Sequence, residues 1–390
     1  MAFRILSLDG GGIRGVISAT ILAAIEKQIN QPLNKYFDLI AGTSTGSILA
    51  GAIAIGLTAQ EIIDIYKQKG IRIFPYKSHY SWRRFPLFFK HGLSAPKFSA
   101  HGLAQVLQES LGTSKILDIT NPLLLIISYD TLTRQPIVFK SWREDTCSSN
   151  VPLWEACVCS ASAPTVFPAH RLDRRINGTV QCATSDSITL CCQADPINNI
   201  YNNTKITITS GTAQGETRTI KNYQGAKRLA VIDSPWENIP DHTSGYSIKS
   251  IYSAIDGGVA ANNPSSCAVA EAIRLGNKLE DISVLSVGTG QMTRLIPFEK
   301  AQGWGVLQWI EPLISILLDS SSIVHEYITN QIIQERVLRL QFKLDRELTG
   351  KRLSDDMDDA SEENINNLIE AATVYIQQPT VQADLQKFLQ

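Results

Sequence analysis

An α/β fold, a sheet covered by helices on both faces with a small β-rich insertion, is predicted from three features of the 390-residue chain. The first fifty residues run strand, glycine loop, helix and then repeat that order, the rhythm of parallel strands joined by helices. From about Asp173 to Ser250 the character changes to Thr, Ser, Asn and Gly with alternating β-branched residues, as in KITITSG and ETRTIKNYQG. That is period-two patterning broken by turns. After Ile251 the α/β character resumes, so the middle segment is an insertion. Residues 1–172 and 251–390 are expected to form one α/β domain, and 173–250 an inserted β-rich module.

Each element has a local reason. Phe3 to Asp9, FRILSLD, is an apolar run of strand length that meets Gly10-Gly11-Gly12-Ile13-Arg14-Gly15. A helix follows from Val16 to Ile29, with Val16, Ala19, Leu22, Ala23 and Ile29 among the residues of its apolar face. Leu39-Ile40-Ala41 is the second strand, and Ser47 to Ala54 the helix after it. Thr58 caps the next helix, through Lys69, with Glu61 completing a capping box. Leu123 to Tyr129 and Pro136 to Trp142 read as strands, the first continuous in apolar residues as a buried strand is. Trp154 to Ala163 is a helix rich in small residues, stopped by Pro164.

Beyond the insertion come a strand at Ile251 to Asp256, a helix at Pro264 to Leu275 and a strand at Ile282 to Val287. An acidic stretch, Asp355 to Glu363, precedes a closing helix at Ile365 to Ile376. Ile296 to Ile333 is read first as a core helix, and second as the lining of a substrate entrance. Tyr66 to Phe98 contains no acidic residue and interleaves Lys67, Lys77, Arg83, Arg84, Lys90 and Lys97 with Phe74, Tyr80, Trp82, Phe85, Phe88 and Phe89. Cations and aromatics together suit an anionic lipid surface. The plainer reading packs the aromatics on the core and leaves the lysines in water.

Composition narrows the function. A hydrophobic content of 44% supplies a large core, and a formal net charge of −1 gives no general case for nucleic acid. The start, MAFRILSLDGGG, lacks the layout of a secretion signal, and no apolar run reaches the roughly 18 to 20 residues that cross a bilayer. A soluble, cytoplasmic protein is expected. Seven cysteines, an odd number, favour reduced thiols over a disulfide framework. Cys157, Cys159, Cys191 and Cys192 lack zinc-finger spacing, so no metal is expected.

The chemistry centres on Gly42-Thr43-Ser44-Thr45-Gly46, which fits the G-x-S-x-G elbow where a strand turns sharply into a helix with the serine at its tip. Side chains at Gly42 or Gly46 would obstruct the close approach of strand and helix. The first loop offers backbone N–H groups of Gly10, Gly11 and Gly12 for an oxyanion, with Arg14 adding positive charge. Gly10-x-Gly12-x-x-Gly15 also matches a dinucleotide fingerprint, but no acid stands at the end of the second strand, and GTSTGSIL lacks the lysine of a phosphate loop. Asp256, at a strand end before Gly257-Gly258, is the candidate base, with a plain turn aspartate as the alternative. His325 and His170 leave a Ser-His-Asp triad open.

These residues resemble the patatin-like phospholipases, through DGGGIRG at Asp9 to Gly15, GTSTG at Gly42 to Gly46 and DGGVAANNP at Asp256 to Pro264. ASAPTVFPAH at Ala161 to His170 and the GTG ending at Gly290 are similar too. The resemblance implies a lipid acyl hydrolase on a modified α/β-hydrolase sheet, with Ser44 as nucleophile, Asp256 as base and the Gly10 to Gly12 amides as oxyanion hole. It implies peripheral contact with membrane lipids and neither metal nor cofactor. The β-rich segment departs from the family pattern and resembles a module of phage structural proteins, a candidate surface for a protein partner. A catalytically silent binding module using that surface is the competing function.

Overall fold

The computed structural model describes residues 2–77, 87, 92, 95–143 and 150–390. In chain order the elements begin with β1 (Phe3–Leu8), α1 (Gly15–Ile29), β2 (Leu39–Thr43), α2 (Thr45–Ala54), α3 (Ala59–Ile73), α4 (Ala100–Leu111), β3 (Leu123–Asp130), β4 (Gln135–Lys140) and α5 (Leu153–Ala161). The strands β5 (His170–Thr179), β6 (Cys182–Ala183), β7 (Ser187–Thr189), β8 (Lys205–Ser210), β9 (Thr217–Gln224), β10 (Leu229–Ile232) and β11 (Gly245–Asp256) follow. The chain ends with α6 (Ser265–Arg274), β12 (Ile282–Val287), α7 (Val306–Ile333), β13 (Val337–Leu340), α8 (Glu362–Ile376) and α9 (Pro379–Leu389). Two compact units divide it: Met1–Tyr129, Pro136–His170 and Ala254–Gln390 form one, and Asp130–Gln135 with Arg171–Ser253 the other.

In the first unit β13, β12, β1, β2 and β3 pair in that order, all parallel. Alternation sends Ile5, Leu39, Ala41, Leu125, Ile127 and Val284 to one face, where they pack with Ala268, Val269 and Ala272 of α6. The intervening Leu6, Ile40, Leu124, Ile126 and Leu285 are fully buried as well. Burial on both faces is why these strands are continuous apolar runs rather than alternating ones. α2 packs directly on β2 and against α5; Gly46, Ala50, Ala156 and Cys157 are small enough to permit that approach. The capping box forms as read: Thr58 accepts from the Glu61 N–H while Glu61 receives the Thr58 N–H, and α3 runs on to Ile73.

Ligand crevices of open parallel sheets lie beyond the carboxyl ends of the strands. The loops after β1 and β2 leave the sheet on that edge, and the end of β11, at Asp256, neighbours β3. The loop after β1 is anchored by Asp9, whose carboxylate is held by Arg339 of β13 at 2.5 and 3.0 Å.

Three features of this unit differ from the sequence reading. The strand expected at Ile251 begins at Gly245. β13, α4 and α9 carried too short or too weak an apolar pattern to be read. α7 is not a core helix: Val306, Leu313, Leu317 and Val324 are exposed. In the basic-aromatic segment, Tyr80, Trp82, Arg83, Arg84, Phe85, Phe88, Phe89 and Lys90 lie outside the described residues. Of its described aromatics, Phe74 and Phe98 are buried and pack against each other and Phe167.

The second unit is antiparallel, with β8 on β9, β9 on β10, β10 on β7 and β7 on β6, and with Gly245 to Ile248 of β11 paired to β8. It has its own core, including Ile188, Ile206, Ile220, Tyr223 and Tyr246. The ring centroids of Tyr201 and Tyr223 stand 4.6 Å apart inside it.

Candidate active site

Ser44 sits between β2 and α2 with φ 54° and ψ −125°, a backbone region that non-glycine residues seldom occupy. The neighbours over-determine it. A Cβ at Gly42 would stand 2.2 Å from the Gly46 carbonyl oxygen, and one at Gly46 would stand 2.1 Å from that of Leu8. The Ser44 N–H donates to Ser160 Oγ at 2.8 Å, and Ser160 in turn donates to the Ile127 carbonyl. The Ser44 carbonyl accepts from Ser47 Oγ at 2.6 Å. With both backbone groups engaged, the side chain is left to aim at Asp256.

Ser44 Oγ donates to Asp256 Oδ2 at 2.7 Å. The other oxygen, Oδ1, accepts from the Gly258 N–H at 2.7 Å. Asp256 is buried, and its backbone and that of Gly257 are tied to the end of α5, through the carbonyls of Ser162 and Ser160. Burial, only partly offset by the hydrogen bonds from Ser44 and Gly258, pushes its carboxyl up to about 6. Strand end, glycine turn and elbow thus bring together residues 212 positions apart.

The glycine loop lies beside this pair, since a Cβ at Gly10 would stand 3.0 Å from Ser44 Cβ. Its three amides are not equivalent, which corrects the expectation that all are open. The Gly10 N–H already donates to the Asn262 carbonyl at 3.1 Å. Among the described residues no acceptor faces the Gly11 or Gly12 N–H, and both glycines line the same cavity as Ser44 and Asp256. Arg14 is buried with Nε on the Gly11 carbonyl at 3.3 Å and with Nη1 lacking a hydrogen-bond partner. Burial pulls its guanidinium below the ordinary arginine range, against the nearby Asp319, Asp355 and Asp356.

The cavity holds about 1120 Å³, roomy by the roughly 300 to 1,000 Å³ of ordinary ligand sites. Its walls include Ile48, Phe74, Leu103, Phe167 and Ile310 together with the charged Lys97, Arg294, Lys300, Asp319 and Asp355, so it offers a ligand both apolar and charged surface. Neither histidine joins it. His325 is occupied on both nitrogens, by Ser266 Oγ at 2.6 Å and the Ala260 carbonyl at 3.1 Å, and His170 Nε2 faces Glu155 at 3.2 Å. No cluster of His, Cys, Asp and Glu able to hold a metal occurs among the described residues. Cys157 and Cys159 are buried free thiols, and burial pushes the Cys157 thiol up to about 12.

Sequence reasoning missed three supporting residues. Ser160 fixes the elbow amide, Asn262 engages Gly10, and Thr289 donates from Oγ1 to the Gly10 carbonyl at 2.8 Å. Asn262 and Thr289 stood within noticed motifs, DGGVAANNP and GTG. Ser160 had no signal beyond its small-residue helix. Thr43 bonds away from the cleft, to the Ala261 carbonyl, whereas Thr45 bonds to Tyr66 and both of these line the cavity.

Residues 6–184 match the family model described as Patatin-like phospholipase. A Solanum tuberosum protein named probable inactive patatin-3-Kuras 1 is 26% identical over 400 residues, an alignment covering 94% of this chain and 84% of that one. Patatin-like protein 3 of Arabidopsis thaliana is 26% identical over 431 residues, covering 98% and 82%. Among solved structures, human GIVD cytosolic phospholipase A2 in complex with methyl gamma-linolenyl fluorophosphonate aligns with a TM-score of 0.42 and 13% identity. That alignment covers 100% of this chain but 59% of the human one.

Proposed function

We propose, from the premise that this chain carries a patatin-like phospholipase domain, that it is a serine carboxylic ester hydrolase acting on membrane glycerolipids, a lipid acyl hydrolase of phospholipase A type. The observation that carries the reading is the 2.7 Å bond from Ser44 Oγ to Asp256 Oδ2 inside a cavity whose walls include Ile48, Phe74, Leu103 and Phe167. Ser44 Oγ attacks the ester carbonyl carbon as its proton passes to Asp256. A carboxylate with the ordinary pKa near 3.9 is a weak base for an alcohol. Burial that raises Asp256 to about 6 narrows the gap, and a preset hydrogen bond lets proton transfer accompany C–O bond formation.

Charge developing on the carbonyl oxygen is met by the Gly11 and Gly12 amides, with the Arg14 cation close behind the loop. Asp256 returns the proton to the departing alkoxide, which leaves as a lysolipid. Water deprotonated by Asp256 then attacks acyl-Ser44, releases the fatty acid and restores the hydroxyl. One relative is named probable inactive, but here nucleophile and base are both present and bonded to each other. Free cysteines suit a reducing cytoplasm, with peripheral membrane contact; no helix among the described residues is long and apolar enough to cross a membrane.

A fluorophosphonate probe tests the reading. Labelling located at Ser44 by peptide mapping and absent from Ser44→Ala is expected, together with fatty acid and lysolipid from mixed membrane lipids. An unlabelled chain that releases no fatty acid overturns the hydrolase and favours a binding module.

A further inference from the structure

Along α7, Val306, Ile310, Leu313, Leu317, Val324 and Ile328 recur at spacings of four, three, four, seven and four residues. In a helix of 3.6 residues per turn that places them on one side over about 33 Å. All are exposed. The segment before the helix adds Leu295, 86% exposed, and Phe298, 73% exposed. Trp304 packs edge-on against Trp309 with centroids 5.0 Å apart. Apolar surface on this scale marks a place where something else binds.

The same segment borders the cleft, because Leu295, Ile296, Trp304, Ile310 and Ile316 line the cavity that holds Ser44. From Val306 to Ile333 there is no lysine or arginine, while Glu311, Asp319 and Glu326 are acidic; in the segment before it Lys300 follows Glu299, and Arg294 is paired with Asp355. We propose that this face is where the protein lies on a lipid bilayer, by apolar insertion rather than attraction to anionic headgroups. A lipid ester then reaches Ser44 through the cavity mouth without its acyl chain crossing water. The substrate side of this inference rests on the hydrolase reading above; the docking itself does not. A second copy of the chain seated on the stripe would instead cover residues that form the cavity wall.

The test uses the full chain carrying Ser44→Ala, so that recovery does not depend on turnover, and vesicles of phosphatidylcholine alone. Cosedimentation at about 0.1 M and about 0.5 M NaCl alike, with a blue shift of tryptophan emission, is expected, since insertion is little screened by salt. Combining Leu313→Glu, Leu317→Glu and Val324→Glu is expected to lower vesicle partitioning at least about a hundredfold, from loss of three apolar side chains. In the Ser44 chain those substitutions leave hydrolysis of a water-soluble short-chain ester unchanged, which also reports that the variant folds. Leu132→Glu, an exposed leucine elsewhere, leaves partitioning as it was. The proposal is overturned if neutral vesicles recover no chain, if the triple variant partitions equally, if binding needs anionic lipid and low salt, or if the substitutions only dissociate a dimer. Vesicle binding lost in the triple variant, with no ester hydrolysis by the parent, upholds the docking face and removes the hydrolase reading.

Discussion

At the scale of the residue, the site sets function against stability. A carboxyl raised to about 6 in the folded chain, against an ordinary value near 3.8, binds its proton more tightly when folded. Its contribution is therefore full below about pH 4 and is lost as pH rises through 6, so at neutral pH the buried charge costs on the order of 3 kcal/mol. Asp256→Asn is expected to lower kcat by about 10²- to 10⁴-fold, yet to stabilise the fold at pH 7 by about 1 to 3 kcal/mol. Denaturant titrations should show that gain vanishing below about pH 4. In the parent, kcat/KM is expected to fall as pH drops through about 6 and Asp256 becomes protonated. A profile flat to pH 5 would remove Asp256 as the base. Ser44 and Asp256 were legible because each stood in a glycine-framed motif whose backbone demands only certain residues can meet. The occupied Gly10 amide was not, because its partner, the Asn262 carbonyl, is brought there by tertiary folding from 252 positions away.

At the scale of the element, the same distinction separates what could be read from what could not. β1, β2 and β12 declare themselves as apolar runs ended by glycine. β13 has four residues and follows a 28-residue helix almost directly, and α9 buries only Val381 and Leu385, so neither carries a pattern of its own. The acidic stretch before α8, read only as preceding the closing helix, crosses the glycine loop. Met357 accepts the Ile13 N–H at 2.8 Å, Asp358 pairs with Lys97 at 2.6 Å and Asp359 with Lys77 at 2.9 Å. Asp355 pairs with Arg294 at 3.0 Å. These pairs are not of equal worth. The Lys97 side chain is 7% exposed and that of Lys77 64%. Lys97→Met leaves Asp358 partly buried and unpaired, and is expected to cost about 2 to 4 kcal/mol. Lys77→Met loses a partner that stands mostly in water, and Asp359 keeps its hydrogen bonds from the Ser361 N–H and hydroxyl, so the change is expected to cost less than about 1 kcal/mol. Equal losses in denaturant titrations would mean that burial does not set the strength of this strap.

At the scale of the whole molecule, the chain interrupts the unit that holds Ser44 and Asp256 with a second one, and the energetics say whether that interruption is a passenger or a support. The insertion was legible as a change of period, from helical spacing to alternation, although nothing in the alternation told which strands would pair. Burial gives the physical case for independence: Ile188, Ile206, Ile220, Tyr223, Tyr246 and Ile248 pack into a core drawn from 171–253 alone. β5 and β11, which enter and leave it, pair with each other, so the entering and leaving strands of the segment run side by side. A segment of about 80 residues is near the lower limit for a self-sufficient core, but not below it. Residues 171–253 produced as a separate chain are therefore expected to unfold in one cooperative thermal transition, with an enthalpy of about 50 to 60 kcal/mol. The complementary chain, with 175–249 replaced by a two-residue turn closing β5 onto β11, is expected to keep fluorophosphonate labelling at Ser44, because Ser44, Asp256 and the glycine loop all belong to the first unit. Broad, non-cooperative melting of the fragment together with loss of labelling in the shortened chain would make the β-rich unit a structural support of the active site rather than an added module.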